Sequence, residues 1–375
     1  MIYLDNSATT YPKPEPVRRA VADAMVRFGA NPGRAGHRMA MQTSEAVFRA
    51  RETAAQFFHT DVETVIFTPS CTQAINQALK GYLHSGDHAV ISCLEHNAVY
   101  RPITAMQADG VSFTVARVFP GDDDRTLESF ASCIKSNTRL LVCTQASNVF
   151  GIRLPVERLA ALAHEHGAAM LVDAAQSAGV VDIDLSRTPI DFLCCAGHKG
   201  LYGPMGTGLL IARERLDPIV EGGTGSQSAS PFPPDEYPDR LEAGTPNTPG
   251  ILGLAAGIRF VQQKTVARIF RHETALLTQL YRPLAHHPKL IWYGDPSQSD
   301  RVPVLSLNVA GQSSEETAAQ LDRAGIAVRA GLHCAPLAHR WMGTADTGTV
   351  RVSVSAFSRP ADINRLTQAL RAVIN

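Results

Sequence analysis

The sequence has no excess of charge of either sign and no long apolar run. Its 375 residues contain 35 Lys and Arg against 35 Asp and Glu, so its charge does not favour nucleic acid or an anionic membrane as a partner. No segment predicts a bilayer-spanning helix, and residues 1–5 lead directly into strand-like sequence rather than into a signal peptide. We therefore expect a cytoplasmic protein that binds neither nucleic acid nor membrane.

Paired cysteine spacings, which mark disulfide frameworks and metal sites, are also missing. The 7 cysteines are an odd number. Cys194 and Cys195 are adjacent in a strand-like run, where neighbouring side chains point to opposite faces, so we do not expect them to bind one metal together. The cysteines therefore predict reduced thiols and no metal site.

Apolar segments typical of strands alternate with helix-like segments from residue 64 onward. Hydrophobic residues make up 45% of the sequence, which is enough for a sizeable core. Because helices of this length connect strands by right-handed crossovers, the alternation predicts an α/β fold with a mostly parallel sheet covered on both faces. Its seven predicted strands are 64–67, 89–92, 113–118, 140–144, 170–172, 192–195 and 208–212.

The last third of the sequence predicts a smaller α/β unit, and a long apolar helix at 251–261 separates this unit from the sheet. We therefore predict a large domain, 13–260, and a small C-terminal domain, 261–375, on which residues 1–12 pack. The elements expected in the small domain are strand 304–309, helix 314–324, strand 326–328, strand 350–354 and a terminal helix from residue 362.

Lys199 follows the predicted strand 192–195, in a turn rich in glycine and proline. An ammonium group held beside apolar walls loses hydration, so its pKa falls and the neutral amine can attack a carbonyl group. A lone lysine is more often a solvated residue of a surface turn. A Schiff-base role for Lys199 therefore depends on partners elsewhere in the chain.

Two such partners stand at the ends of other predicted strands, the edge where parallel sheets bind ligands. Asp173 ends a buried strand, where a carboxylate needs a cation or a bound proton. The helix that begins near Thr72 offers free N–H groups to a phosphate, although plain helix capping explains Thr72 equally well. A lysine, an acid and an anion seat together fit pyridoxal 5′-phosphate (PLP).

Three motifs in a fixed order carry a family resemblance. They are Asp173 to Gln176, Gly197 to Lys199 followed by Tyr202-Gly203-Pro204, and Glu242 to Asn247. With them, from Tyr3 to Arg351, the chain resembles the class V aminotransferases, which are PLP enzymes of fold type I with a large seven-stranded sheet domain and a smaller α/β domain.

A fourth motif points to a subgroup of that family. Arg329 to Pro336 is similar to the short cysteine-bearing loop of the group II (SufS-like) cysteine desulfurases and selenocysteine lyases. It does not match the longer, serine-rich loop of the other desulfurase group.

The resemblance implies roles for the residues around the cofactor ring. Lys199 would hold PLP as a Schiff base, and Asp173 would pair with the pyridine nitrogen. Gln176 would approach the phenolic oxygen, and His96 would stack on the ring as a catalytic residue. The residues themselves point to Lys199 and Asp173, but they would not have selected Gln176.

The resemblance also implies a phosphate site and a homodimer. Cys71, Thr72 and His198 would contact the phosphate, together with Thr245 from the neighbouring subunit. Two positions depart from the usual family pattern. Ala196 stands where a serine is common, and Cys71 stands where a threonine is common. These departures bear on cofactor affinity and remove no catalytic group.

The implied reaction converts L-cysteine to L-alanine. Asn148 and Arg351 would hold the substrate carboxylate, with Arg329 near it. Cys334 would capture the sulfur as a persulfide and pass it to an acceptor protein. We expect the positive charges of Arg329 and His333, in the same loop, to favour the reactive thiolate.

Other functions are compatible with parts of this pattern. A selenocysteine lyase would release selenium with less need of Cys334, and a class V aminotransferase would use Lys199 without it. A sulfur-relay protein would carry the persulfide without catalysis. A dinucleotide-binding enzyme is disfavoured because the glycine-rich run 203–208 precedes a strand instead of following one.

Overall fold

The computed structural model describes residues 1–33 and 36–374 of the chain. In these residues the strands are β1 Ile2–Tyr3, β2 Val65–Thr68, β3 His88–Ser92, β4 Ser112–Ala116, β5 Thr138–Thr144, β6 Ala169–Asp173, β7 Phe192–Ala196, β8 Gly208–Ala212, β9 Leu290–Trp292, β10 Val304–Val309, β11 Ile326–Ala327 and β12 Val350–Ser353. The helices are α1 Glu15–Arg27, α2 Arg38–Phe58, α3 Cys71–Tyr82, α4 Asn97–Ala105, α5 Asp123–Cys133, α6 Val156–Glu165, α7 Thr248–Lys264, α8 Val266–Tyr281, α9 Ser314–Arg323, α10 Pro336–Trp341 and α11 Pro360–Ile374.

The large sheet has seven strands in the order β2-β8-β7-β6-β5-β3-β4. Only β8 runs against its neighbours, pairing antiparallel with β2 and with β7. All seven predicted strands are present, and the α/β fold with a mostly parallel sheet is confirmed. The sheet pairs strands that are far apart in the sequence. Its strands could still be predicted one by one, because a sheet covered on both faces has strands that are continuous apolar runs.

Two apolar cores cover the two faces of this sheet. Alternate residues of β5 enter different cores: Leu141 and Cys143 face one, while Leu140 and Val142 face the other. Cys194 and Cys195 divide in the same way and are fully buried, as the strand geometry predicted. All seven cysteines are free thiols.

The smaller unit is built on the antiparallel sheet β12-β10-β9, with α8 and α11 packed in its core. The first strand belongs to this region, because β1 pairs in parallel with β11 and Leu4 is buried in the same core. Strand β9 was not predicted, since it is only three residues long and carries no clear apolar alternation. The division into domains at residue 260 stays a prediction.

Two helices near the site were also missed. Helix α4 contains Pro102, a residue that normally argues against a helix interior, and α10 is only six residues long. Helix α2 begins at Arg38, where His37 caps it by accepting a hydrogen bond from Ala40 N. Among the helices described, none is both long and apolar enough to cross a membrane.

Candidate active site

Lys199 lies in a tight turn after β7, at the carboxyl end of the parallel strands. The turn is closed by backbone bonds from Tyr202 N to Lys199 O at 2.8 Å and from Gly203 N to Gly197 O at 2.7 Å. Gly200 is required here, because a Cβ atom would lie 2.4 Å from Ala178 O. The backbone of the turn therefore fixes where the lysine side chain starts.

The Lys199 amine lies in surroundings that favour its neutral form. Burial lowers its pKa, and the negative charge of Asp173 only partly opposes that effect. In the described part of the chain Nζ has neither a hydrogen bond nor an ion pair. Lys199 is therefore a half-buried lysine at the sheet edge whose amine is biased toward the neutral form, and not a fully solvated residue of a surface turn.

Asp173 is the last residue of β6 and only 3% exposed. Its Oδ1 accepts hydrogen bonds from Ala175 N at 2.9 Å and from the Cys71 thiol at 3.4 Å. Burial and the Asp173 charge raise the pKa of Cys71, so this thiol stays protonated and can donate. The structure thus joins two of the residues named from the sequence.

The expected phosphate residues divide into two groups. Cys71 and Thr72 form the first turn of α3, which Ser70 caps by accepting from Gln73 N at 3.2 Å. Burial lowers the pKa of His198 to about 4, and its buried Nδ1 has no hydrogen-bond partner among the described residues. Thr245 is exposed in a separate loop, where it accepts a bond from Asn31 Nδ2 at 3.5 Å.

His96 caps helix α4 with its side chain. Its Nδ1 accepts a hydrogen bond from Ala98 N at 3.0 Å, and burial lowers the pKa of the ring to about 4. A ring nitrogen that accepts carries no proton, so the imidazole is neutral with its hydrogen on Nε2. The next residue, Asn97, donates from its backbone N to Cys334 O at 2.7 Å. The segment that carries His96 therefore contacts the cysteine loop directly through Asn97.

Arg351 lies on β12 and is 2% exposed. Its Nη1 donates to Asn148 O at 2.9 Å and its Nη2 to Asp5 Oδ1 at 2.7 Å, while its buried Nε has no partner in the described residues. Arg329 pairs with Arg351 through the backbone, but its side chain is exposed. The structure thus brings both arginines to one edge with unequal access to solvent.

The amides of Asn148 and Gln176 already bond within the protein. Asn148 Nδ2 donates to His333 O at 2.8 Å, which ties it to the cysteine loop. Gln176 Nε2 donates to Ser7 O at 3.0 Å, which ties it to the N-terminal segment. These bonds hold both side chains near the site. Their amide oxygens accept no hydrogen bond from the described residues.

Cys334 is exposed at the tip of its loop, and the backbone there is strained. His333 and Cys334 have φ angles of 47° and 57°, in the left-handed region that costs a non-glycine residue about 1–2 kcal/mol. Such strain persists only where the surrounding structure imposes it. The loop conformation is therefore held by its contacts and not by local preference.

The prediction that a positive charge on His333 favours the Cys334 thiolate is wrong. The residue is 5% exposed, and burial lowers the pKa of its ring to about 3, so it is neutral at physiological pH. Its Nε2 lies 3.0 Å from Thr349 O, an acceptor, and so carries the proton. His333 supplies no positive charge to the thiol, and Arg329 is left as the cation of this loop.

Sequence reasoning missed two residues of the site. Asp5 binds Arg351, although they are 346 positions apart. Glu95 is fully buried beside His96, accepts a bond from Thr144 N at 2.7 Å and another from Ser92 Oγ, and burial raises its pKa to about 8. The signal for Glu95 was its position after a buried strand; for Asp5 no local signal exists.

A family model, aminotransferase class-V, matches residues 2–366 of the chain. A protein named probable cysteine desulfurase from Methanothermobacter thermautotrophicus is 31% identical over 383 residues, which cover 99% of this chain and 94% of the relative. The match therefore extends over nearly the entire chain.

Solved structures agree with this match. A cysteine desulfurase from Thermococcus onnurineus, in its apo form, superposes with a TM-score of 0.90 at 30% identity, covering 100% of this chain and 94% of that one. The cysteine desulfurase CsdA of Escherichia coli, as the S-sulfonic acid, superposes with a TM-score of 0.88 at 29% identity, covering 99% and 94%.

Proposed function

The chain belongs to the class V aminotransferase family, and from that premise we propose that it is a PLP-dependent cysteine desulfurase. It converts L-cysteine to L-alanine and captures the sulfur as a persulfide on Cys334. One observation supports this reading most directly: Asn97 N bonds Cys334 O at 2.7 Å, which joins the exposed thiol to the His96 segment at the edge that also carries Lys199.

The residues at this edge fit PLP. Lys199 is half-buried, and its amine has no partner among the described residues and a lowered pKa, so it is suited to a covalent bond with the cofactor carbonyl. Asp173 is a buried carboxylate that needs a cationic or protonated partner, as the pyridine nitrogen would be. His198 Nδ1, near the start of the lysine turn, is a buried nitrogen without a partner in the described part of the chain, and α3 offers its N-terminal N–H groups to the phosphate.

The side chains around the cofactor would divide the remaining work. When bound, PLP supplies an electron sink for the substrate α-carbon. Lys199, with its lowered pKa, can take and return the α-proton as a neutral amine. His96 is neutral and can lie against the ring without adding a charge, and Gln176 is held on the same side by Ser7 O.

Substrate binding would rest on Arg351. Its Nε is buried and unpaired within the described residues, and its other two nitrogens already hold Asn148 O and Asp5, so the guanidinium is fixed in orientation. A carboxylate is the natural partner of that free N–H. Arg329, which is exposed, would assist from the solvent side.

Sulfur transfer then takes place at Cys334. The thiolate attacks the substrate sulfur, so that an S–S bond forms while the C–S bond breaks. The electron pair of that bond stays on carbon, which takes up a proton to give L-alanine. This step needs no added oxidant.

We further propose that Thr245 completes the phosphate site of the neighbouring subunit in a homodimer, and that a separate acceptor protein removes the sulfur.

The test is product analysis on the wild-type protein and the variant Cys334→Ala. We expect wild type, assayed with an added thiol that reduces the persulfide, to form alanine and sulfide from L-cysteine without a keto acid. Cys334→Ala should lose this activity by about 100-fold or more. Cys133→Ala, which removes a half-buried thiol at the end of α5, should behave as wild type.

Three outcomes would contradict the proposal. Alanine formation that persists in Cys334→Ala would remove the persulfide step. Activity on L-selenocysteine alone would indicate a selenocysteine lyase. Product formation that requires a keto acid would indicate an aminotransferase.

A further inference from the structure

Two buried imidazole rings, one from the cysteine loop and one from helix α10, pack against each other. His333 is 5% exposed and His339, on α10, is 0% exposed. Their rings are stacked, with centroids 5.8 Å apart and an interplanar angle of 25°. Neither ring has a role in binding cofactor or substrate, so the pair requires another explanation.

His339 is fixed more firmly than a space-filling residue needs to be. Its Nδ1 lies 2.7 Å from Thr344 Oγ1, and Thr344 N donates back to His339 O at 2.8 Å. The ring also packs against Phe150, with centroids 5.5 Å apart. His339 thus forms a fixed surface that joins the turn after α10, the 145–155 loop and the ring of His333.

The ring and the backbone of His333 connect His339 to the cysteine loop. Its ring is held by Thr349 O at 3.0 Å and Thr349 Oγ1 at 3.2 Å, and its backbone O accepts from Asn148 Nδ2 at 2.8 Å. Because His333 and Cys334 both have positive φ angles, the loop would relax to another conformation if the ring were free to move.

We propose that His339 is a positioning residue, whose stacked ring holds His333 and thereby keeps Cys334 in the left-handed conformation beside the His96 segment. This inference rests on the proposed sulfur transfer to Cys334. Both rings are neutral, because burial lowers their pKa values, so the stack is not opposed by charge repulsion. The device acts through shape and not through acid–base chemistry.

The test compares two variants that lose the Thr344 bond equally. His339→Leu removes the flat ring, whereas His339→Phe retains one. We expect His339→Leu to lower kcat for alanine formation about tenfold or more with KM for L-cysteine little changed, since misplacing a reacting group affects the chemical step. His339→Phe should keep kcat within about threefold of wild type.

Hydrogen exchange gives a readout that does not depend on activity. The Asn97 amide donates to Cys334 O, so its exchange reports whether the loop is in place. We expect it to exchange about tenfold faster in His339→Leu and near the wild-type rate in His339→Phe. This arm decides the positioning role even if wild type proves inactive on L-cysteine, which would overturn only the proposed function.

A control separates positioning from general destabilisation. His88, on β3, is another fully buried histidine, held away from the loop by Thr138 on β5 and Thr114 on β4. His88→Leu should leave kcat and Asn97 exchange unchanged. Equal behaviour of the Leu and Phe variants at position 339, or equal losses in His339→Leu and His88→Leu, would overturn the inference.

Discussion

Burial shifts the pKa values of the adjacent residues Glu95 and His96 in opposite directions. Burial disfavours charge in both, so it raises the pKa of the acid to about 8 and lowers that of the base to about 4. Both are therefore mainly neutral at pH 7. His96 faces the site, whereas Glu95 joins the ends of β3 and β5 through Ser92 and Thr144.

Glu95 makes stability depend on pH. Its pKa rises from 4.5 when unfolded to about 8 when folded, so the folded state binds the proton more tightly. The contribution of Glu95 to stability is therefore fully present at low pH and is lost between about pH 5 and 8, as the proton must be released. We expect Glu95→Gln, which mimics the protonated acid, to remove roughly 3 kcal/mol of this decline between pH 5.5 and 8.

Urea unfolding at several pH values measures this effect. Glu128→Gln, which changes an exposed glutamate of α5, serves as the control and should retain the wild-type slope. If Glu95→Gln shows the same pH dependence as wild type, Glu95 is ionised in the folded state and the assignment fails.

At the scale of elements, the cysteine loop is held against the turn that precedes β12. Gly331 N donates to Thr349 O at 3.2 Å, and Thr349 N returns a bond to Gly331 O at 3.1 Å. The backbones approach so closely that a Cβ atom on Gly348 would lie 2.8 Å from Gly331 Cα. The position of the loop therefore depends on a glycine outside it.

Gly348 and Gly343 form a matched pair for testing this contact. Their φ angles are 58° and 68°, so alanine is strained at either position by about 1 kcal/mol, but only Gly348 has a neighbour within 4 Å. We expect Gly348→Ala to reduce alanine formation about tenfold or more by displacing the loop, and Gly343→Ala to retain it. Steady-state kinetics would refute the contact if both variants were equally active.

At the scale of the whole molecule, Asp5 and Arg351 link the first strand region to the last strand. Their side chains meet at 2.7 Å and are largely buried, with 19% of the Asp5 side chain and 3% of the Arg351 side chain exposed. A buried ion pair costs desolvation of both partners, so its value lies in fixing the guanidinium more than in net stability. The N-terminal segment thereby becomes part of the proposed substrate site.

Asp5→Asn is expected to leave Arg351 as a buried charge without its carboxylate. The free energy of unfolding should fall by roughly 2–4 kcal/mol, and KM for L-cysteine should change because the guanidinium is free to reorient. Asp124→Asn breaks a pair with Arg158 of similar length, 2.6 Å, but at the surface, and should cost less than about 1 kcal/mol. If urea unfolding shows equal losses in the free energy of unfolding for Asp5→Asn and Asp124→Asn, burial does not make the Asp5–Arg351 pair more important than a surface pair.

Much of the site followed from local pattern. Lys199, Asp173 and Thr72 could be placed at one edge because each follows an apolar segment, and the carboxyl ends of parallel strands meet there. The motif around Cys334 also identified the loop. Helices α4 and α10, which shape that loop, were not predictable, since one contains a proline and the other is too short to show periodicity.

The sequence by itself determined the seven strands of the large sheet, their mostly parallel arrangement and the residue types that meet at the sheet edge, because apolar periodicity is a local property. Only the tertiary structure decided that His333 is neutral, that it stacks on His339, and that Asp5 reaches Arg351 across 346 positions. Burial and long-range pairing depend on what surrounds a side chain, and that is fixed only when distant segments pack together.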